Sequence, residues 1–195
     1  LDKADSMLAT KGGIKAIEES IRLQRIASHD KEEKSKFCYY KYQIAYQSLQ
    51  RDSAAFYLDL RAELDRYNID WQIDAAEFIR DVLADYDRAL AIYQSALEYS
   101  KQHYGELHEK TGMLYNSIGQ TSSFQGNYPL AMEYYKKALI IVEKLFGNEH
   151  PNVSILYNNL GQVCSSLANY SMALDYFNKA LAVNKICMGG YHPEV

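Results

Sequence analysis

The chain has 195 residues, 48% apolar and 24% charged, with a formal net charge of −4, a length that suits one domain or two small ones with a sizeable core. Three prolines and ten glycines argue against collagen, disorder and a turn-rich β-sandwich. No apolar run approaches the roughly 18 residues of a membrane span, and the mild acidity predicts no direct contact with nucleic acid or an anionic membrane. Cys38, Cys164 and Cys187 are odd in number and show no CxxC spacing, so neither a disulfide framework nor a zinc site is expected. Leu1 opens the chain without a basic-plus-apolar leader, which predicts a mature form or a piece of a longer protein and favours a cytoplasmic location.

In chain order, Gly12-Gly13 followed by Ala16, Ile17, Ser20, Ile21 and Leu23 predicts the second helix of an incomplete first pair. Tyr39, Tyr42 and Tyr46 recur at helical spacing within a helix expected from about Lys34 to Leu49. Asp52 through Tyr57 opens its partner. Four full pairs are expected near residues 32–67, 70–104, 109–146 and 152–187, about five in all with the incomplete one. Gly126-Asn127 breaks the third pair in the middle, and Gly147 with Pro151 closes it.

A repeat underlies these elements. Laying residues 115–153 over 157–195 without a gap gives 16 identities in 39 pairs, a step of 42. The same step backwards carries Tyr128 to Tyr86, Ala131 to Ala89, Ala138 to Ala96 and His150 to His108. Each unit carries two apolar stripes: Met113, Tyr115, Ile118 and Ser122, then Ala131, Tyr135, Ala138, Leu139 and Val142. Gly119 and Gly161 are expected to admit a neighbouring helix closely, with Tyr135 and Phe177 filling the space opposite. Bulk at Ala131 or Ala173 would cost about 1–3 kcal/mol through overpacking.

Tyr115, Ile118, Gly119, Ser122, Ala131, Tyr135 and Ala138 resemble the pattern of the tetratricopeptide repeat, as do Tyr157, Leu160, Gly161, Cys164, Ala173, Phe177 and Ala180. The 42-residue period, the connectors 145–153 and 187–195, and Asn158-Asn159-Leu160 are similar to the kinesin light chain variety. The resemblance implies an all-α fold, a right-handed α-α superhelix. Residues 1–195 are then expected to form a single solenoid, divergent over 1–69 and of the 42-residue type over 70–195. It also implies a protein or peptide partner, bound along the first helices. By the pattern's spacing the groove residues are Asn116, Gln120 and Ser123, then Asn158, Gln162 and Ser165, with Asp74, Phe78 and Asp81 one unit earlier. Asn and Gln offer both donor and acceptor and can pair with a peptide backbone of any sequence.

Lys and Arg are absent from those positions. Relatives that grip carboxylates or acidic peptides place basic residues there, so the fold is implied and their cargo is not. Residues 1–110 hold 20 acidic and 16 basic side chains, while 111–195 hold five of each, so the whole excess lies upstream.

His108, His150 and His192 recur beside turns and read as backbone caps, because repeats stacked roughly 10 Å apart cannot share one ion. Cys164 falls at a small-residue packing position and reads as a buried thiol. Most of the 18 tyrosines read as packing residues, with Tyr134 and Tyr176 partly exposed. Asp74, Asp81 and Asp85 are the nearest thing to an acid/base set, and no P-loop, dinucleotide fingerprint or nucleophile elbow accompanies them. No catalytic, cofactor or metal site is therefore predicted.

A peptide-binding scaffold is the leading expectation. The alternative is a ligand-sensing input domain of a bacterial regulator, implied by a looser resemblance of residues 45–54 and 1–6 to such proteins. The apolar side of Leu174, Phe177, Leu181 and Ile186 is expected to lie open and to support self-association.

Overall fold

The computed structural model describes residues 31–187; the helix expected after Gly13, the first six residues and the His192 connector lie outside them. Eight helices and no strand occur among the described residues. They fall into two compact units divided between Asp65 and Arg66.

The first unit contains α1, Lys31–Gln47, and α2, Arg51–Leu64, packed together as a pair. Arg61 reaches back from α2, donating from Nε to Ser35 Oγ at 2.9 Å and lying 4.7 Å from the Tyr39 ring centroid. Cys38 is buried here, and burial pushes its thiol up to about 11, a protonated and unreactive state.

The second unit holds α3, Ile69–Asp81; α4, Tyr86–His103; α5, Glu109–Phe124; α6, Tyr128–Phe146; α7, Pro151–Ser166; and α8, Tyr170–Cys187. Each odd helix packs on the even helix after it, and each even helix on the next odd one. The first helices also meet one another, α3 with α5 and α5 with α7. The expected pairs are thus present, and the first helices form a layer of their own.

Sequence-local chemistry sets the ends of these helices. Side chains at all six starts accept a backbone N–H from the first turn: Asn68, Asp85, His108, Asn127, His150 and Asn169. His108 Nδ1 accepts from Lys110 and His150 Nδ1 from Asn152, both at 3.2 Å. Each imidazole also stacks on the last aromatic of the preceding region, Tyr104 at 4.6 Å and Phe146 at 4.7 Å between centroids. The repeated connector histidine is a cap.

Within each pair of this second unit the turn needs one left-handed residue. Gly126 takes it at φ +78°, and the positions 42 residues either side, Ala84 and Ala168, take it at +55° and +57°. A Cβ in that conformation costs about 1–2 kcal/mol, so two of the three turns are formed against local preference. Packing compensates. Ala89, Tyr93, Leu114, Ile118, Ala131, Ala138, Leu160 and Cys164 are completely or nearly completely buried along the stacked pairs. No helix among the described residues is long and apolar enough to cross a membrane.

Candidate functional site

The first-helix layer carries the residues picked out by the 42-residue step. On α5, Asn116, Gln120 and Ser123 are half-buried; on α7, Asn158 is half-buried while Gln162 and Ser165 are exposed. Asp74 on α3 is half-buried and Asp81 exposed, whereas Phe78 is buried at 4% exposure and contributes packing at its position.

The two asparagine positions are not equivalent. Asn159 Nδ2 donates to Asn116 Oδ1 at 3.1 Å, tying α7 to α5. The Asn116 carbonyl is therefore engaged within the protein. Asn159 has Ser117 one repeat earlier, so this clasp belongs to a single interface between repeats and its partner does not follow from the periodicity.

Arg80 lies outside the expected groove residues. It is 4% exposed on α3 and holds Asp81 with two hydrogen bonds, Nε to Oδ1 at 2.6 Å and Nη2 to Oδ2 at 2.8 Å. Its Nη1 donates to the Tyr93 hydroxyl of α4 at 3.2 Å. A buried guanidinium needs such partners, and it recruits Asp81, which is thereby ion-paired inside the chain. Glu77 lies beside this group; burial, together with the charges of Asp81 and Asp74, pushes its carboxyl up, against the pull of Arg80. Further along, Lys110 of α5 makes an ion pair with Asp70 of α3.

Charge falls away along the layer. α3 carries four carboxylates against one arginine, α5 carries Glu109 and Lys110, and α7 carries no charged side chain.

Between α5, α6 and α7 lies an open pocket of about 220 Å³. Ile141, Val142 and Leu156 form its buried wall, and Met113, Phe146 and Ile155 stand exposed at its mouth. Asn116 lines it as well, joining the pocket to the amide-bearing row. The packing stripe expected to include Met113 loses it here: the side chain is 41% exposed, because it faces this opening. Trp71, Met113 and Ile155 are separated by 42 residues each, and that shared register is the signal by which the mouth could have been found.

A sequence profile described as tetratricopeptide repeat matches residues 72–139 and again 123–185, together more than half of the chain. No curated protein matches. Solved structures do. BtubC (BKLC) from P. vanneervenii is 21% identical, with 95% of this chain and 78% of that chain covered and a TM-score of 0.72. The apo form of RapI is 24% identical, with 95% and 69% covered and a TM-score of 0.69. Aspartyl phosphate phosphatase F from Bacillus subtilis is 22% identical, with 85% of this chain and 44% of that one covered and a TM-score of 0.68. At such identities the likeness is one of fold, and the shared fold is the all-α superhelical repeat. Stacked helix pairs, small residues at the close approaches and two overlapping profile matches agree: the chain belongs to the tetratricopeptide repeat family.

Proposed function

We propose that this chain is a protein-binding scaffold that holds an extended peptide along its first helices, and that residues 1–195 act as one solenoid. The carrying observation is the uncharged, amide-bearing row formed by Asn116 and Gln120 on α5 with Asn158 and Gln162 on α7, two helices in contact. Amide side chains can meet a peptide's own N–H and C=O groups without selecting its side chains. Ser123 and Ser165 extend the row, and Asp74 and Asp81 mark its acidic end, with Phe78 between them in sequence serving the packing. Because Arg80 engages Asp81, any preference for a basic ligand at that end comes from the net charge of α3 as a whole. We read this as a binding surface with no catalytic residue, cofactor or metal.

The test is a peptide-array hit titrated against wild type and the Asn116→Ala/Asn158→Ala double variant. A hydrogen bond between neutral groups contributes about 0.5–1.5 kcal/mol, so the double variant should weaken binding roughly 10- to 100-fold. Asn159→Ala is the control, since it removes the clasp to Asn116 and leaves both groove asparagines. Raising the salt should change the affinity little, apart from the part of the ligand lying over α3. Unchanged affinity in the double variant, with helicity intact by circular dichroism, would place the binding surface elsewhere.

A further inference from the structure

Gly112 lines the pocket between α5, α6 and α7, at a close approach of α5 to α6. A Cβ on Gly112 would sit 3.1 Å from Ile141 Cγ2, so even an alanine there would press on the buried wall. The mouth is open and mainly apolar, with Met113 41% and Ile155 52% exposed on neighbouring first helices, and exposed Glu109 and Asn152 also line the pocket. Asn116 stands at the edge, placing an amide beside an apolar hole.

We propose that this pocket anchors one aliphatic side chain, Leu, Ile or Met, of an extended peptide that carries Lys or Arg about four residues away over α3. This rests on the peptide-groove reading above and adds to it an anchor, a direction and a spacing. An extended chain presents backbone and alternate side chains side by side, which matches an amide row running past a pocket. That pairing is how strand-like ligands combine sequence-tolerant affinity with specificity.

The direction comes from charge. α7 is uncharged, α5 is balanced, and α3 is net negative. Of these three helices α3 alone carries a net negative charge, so a ligand's cation is favoured at its end. The spacing comes from geometry. Neighbouring helices lie roughly 8–10 Å apart, so a pocket between α5 and α7 lies about 12–15 Å from α3. At ~3.3–3.6 Å per extended residue, that distance spans about four residues.

The experiment uses the 195-residue chain and a positional-scanning library of fluorescein-labelled octapeptides read by polarisation. One position should select Leu, Ile or Met over Ala by about tenfold, and a position about four residues away should select Lys or Arg. Ile155→Glu should erase the aliphatic selection alone, and the Asp74→Asn/Glu77→Gln double variant the basic one. Met113→Glu repeats the first test from the other helix. Both mouth residues are solvent-exposed, so the charges can be solvated, and circular dichroism checks each fold. Aliphatic selection that is absent, or that survives both glutamate variants, overturns the anchor. Two aliphatic positions three or four apart without a basic one would mean a helical ligand, and also overturns it. So would uptake of anilinonaphthalene sulfonate, abolished by Ile155→Glu, with no aliphatic selection among peptides. Peptides that bind and depend on Asn116 and Asn158 but show no aliphatic preference sink the anchor and leave the groove reading standing. A library that does not bind at all removes both.

Discussion

Tyr115 and Tyr157 occupy one register of successive first helices, and each donates its hydroxyl to a carboxylate: Tyr115 to Glu106, and Tyr157 to Glu143 Oε1 at 3.0 Å. A lysine lies over both rings of each local tyrosine pair, Lys137 over Tyr115 and Tyr134 and Lys179 over Tyr157 and Tyr176, at 5.1–5.7 Å. Burial first, and then the carboxylate, pushes the hydroxyls of Tyr115 and Tyr157 up to about 12. Burial does the same to Tyr135. An unfolded tyrosine ionises near pH ~10, so these groups have raised folded values. Their contribution to stability is fully present below about pH 10 and is lost as pH rises toward 12. The opposite sign holds for Glu106, whose carboxyl is lowered chiefly by the Tyr115 hydrogen bond. Its contribution is present above the ordinary glutamate range and fades as pH falls through the lowered value. We expect the ultraviolet titration of the folded chain to show a late tyrosine population that ionises together with loss of helicity. Tyr115→Phe and Tyr157→Phe should each remove one late proton. A single population near pH ~10 in the wild type would contradict the burial of these three hydroxyls.

Among the helices, the two packing glycines look alike in sequence and differ in surroundings. A Cβ on Gly119 would lie 2.8 Å from the Tyr135 ring, and one on Gly161 2.6 Å from the Phe177 ring. Tyr135 is 3% exposed and enclosed by the next repeat, while Phe177 is 37% exposed on the outer side of α8 and has room to swing. Alanine gains about 1 kcal/mol over glycine inside a helix, and overpacking costs about 1–3. Gly119→Ala should therefore destabilise by about 1–2 kcal/mol, and Gly161→Ala should be close to neutral. Urea unfolding compares them, and equal losses would mean that the last repeat is as tightly closed as the one before. From α4 onward the helix starts were legible in sequence because their caps recur at a step of 42, Asp85, Asn127 and Asn169 on second helices and His108 and His150 on first ones. The features that the step could not show depend on unique residues in a neighbouring helix. Asn159 is an asparagine in one repeat only, so its bond to Asn116 has no periodic signature. Arg80 sits in a charged-looking stretch, and only the arrangement of α3 against α4 shows it to be buried on Tyr93. The pocket mouth was hidden for the opposite reason. Met113 and Ile155 do share a register, but apolar residues at helical spacing usually mean core.

In the stack of α3 to α8, α5 packs on α4 and α7 packs on α6. On α6, against which α7 packs, Tyr135 and Ile141 are buried and Met132 and Leu139 half-buried. At the matching positions of α8, Leu174 is 60%, Phe177 37% and Leu181 51% exposed, while Val183 stays buried at 8%; Ile186 nearby is 53% exposed. Apolar patches of this extent usually mark contact sites. We propose that a second copy of the chain covers it, patch against patch, since a two-fold pair uses the same surface on both partners. Leu174 and Leu181 are seven residues apart, two helical turns on one side of α8, so two substitutions address the centre of the face. Light scattering over a concentration series should show the wild-type mass rising toward the dimer, and Leu174→Lys/Leu181→Lys should hold it at the monomer. Because both leucines are exposed, the double variant should keep its helicity and unfold with nearly wild-type urea dependence. Peptide binding should also survive in it, since the amide row lies on the first helices and α8 is a second helix. A wild-type chain that stays monomeric at the highest concentration, with this face bare, would remove the dimer and leave the groove untouched.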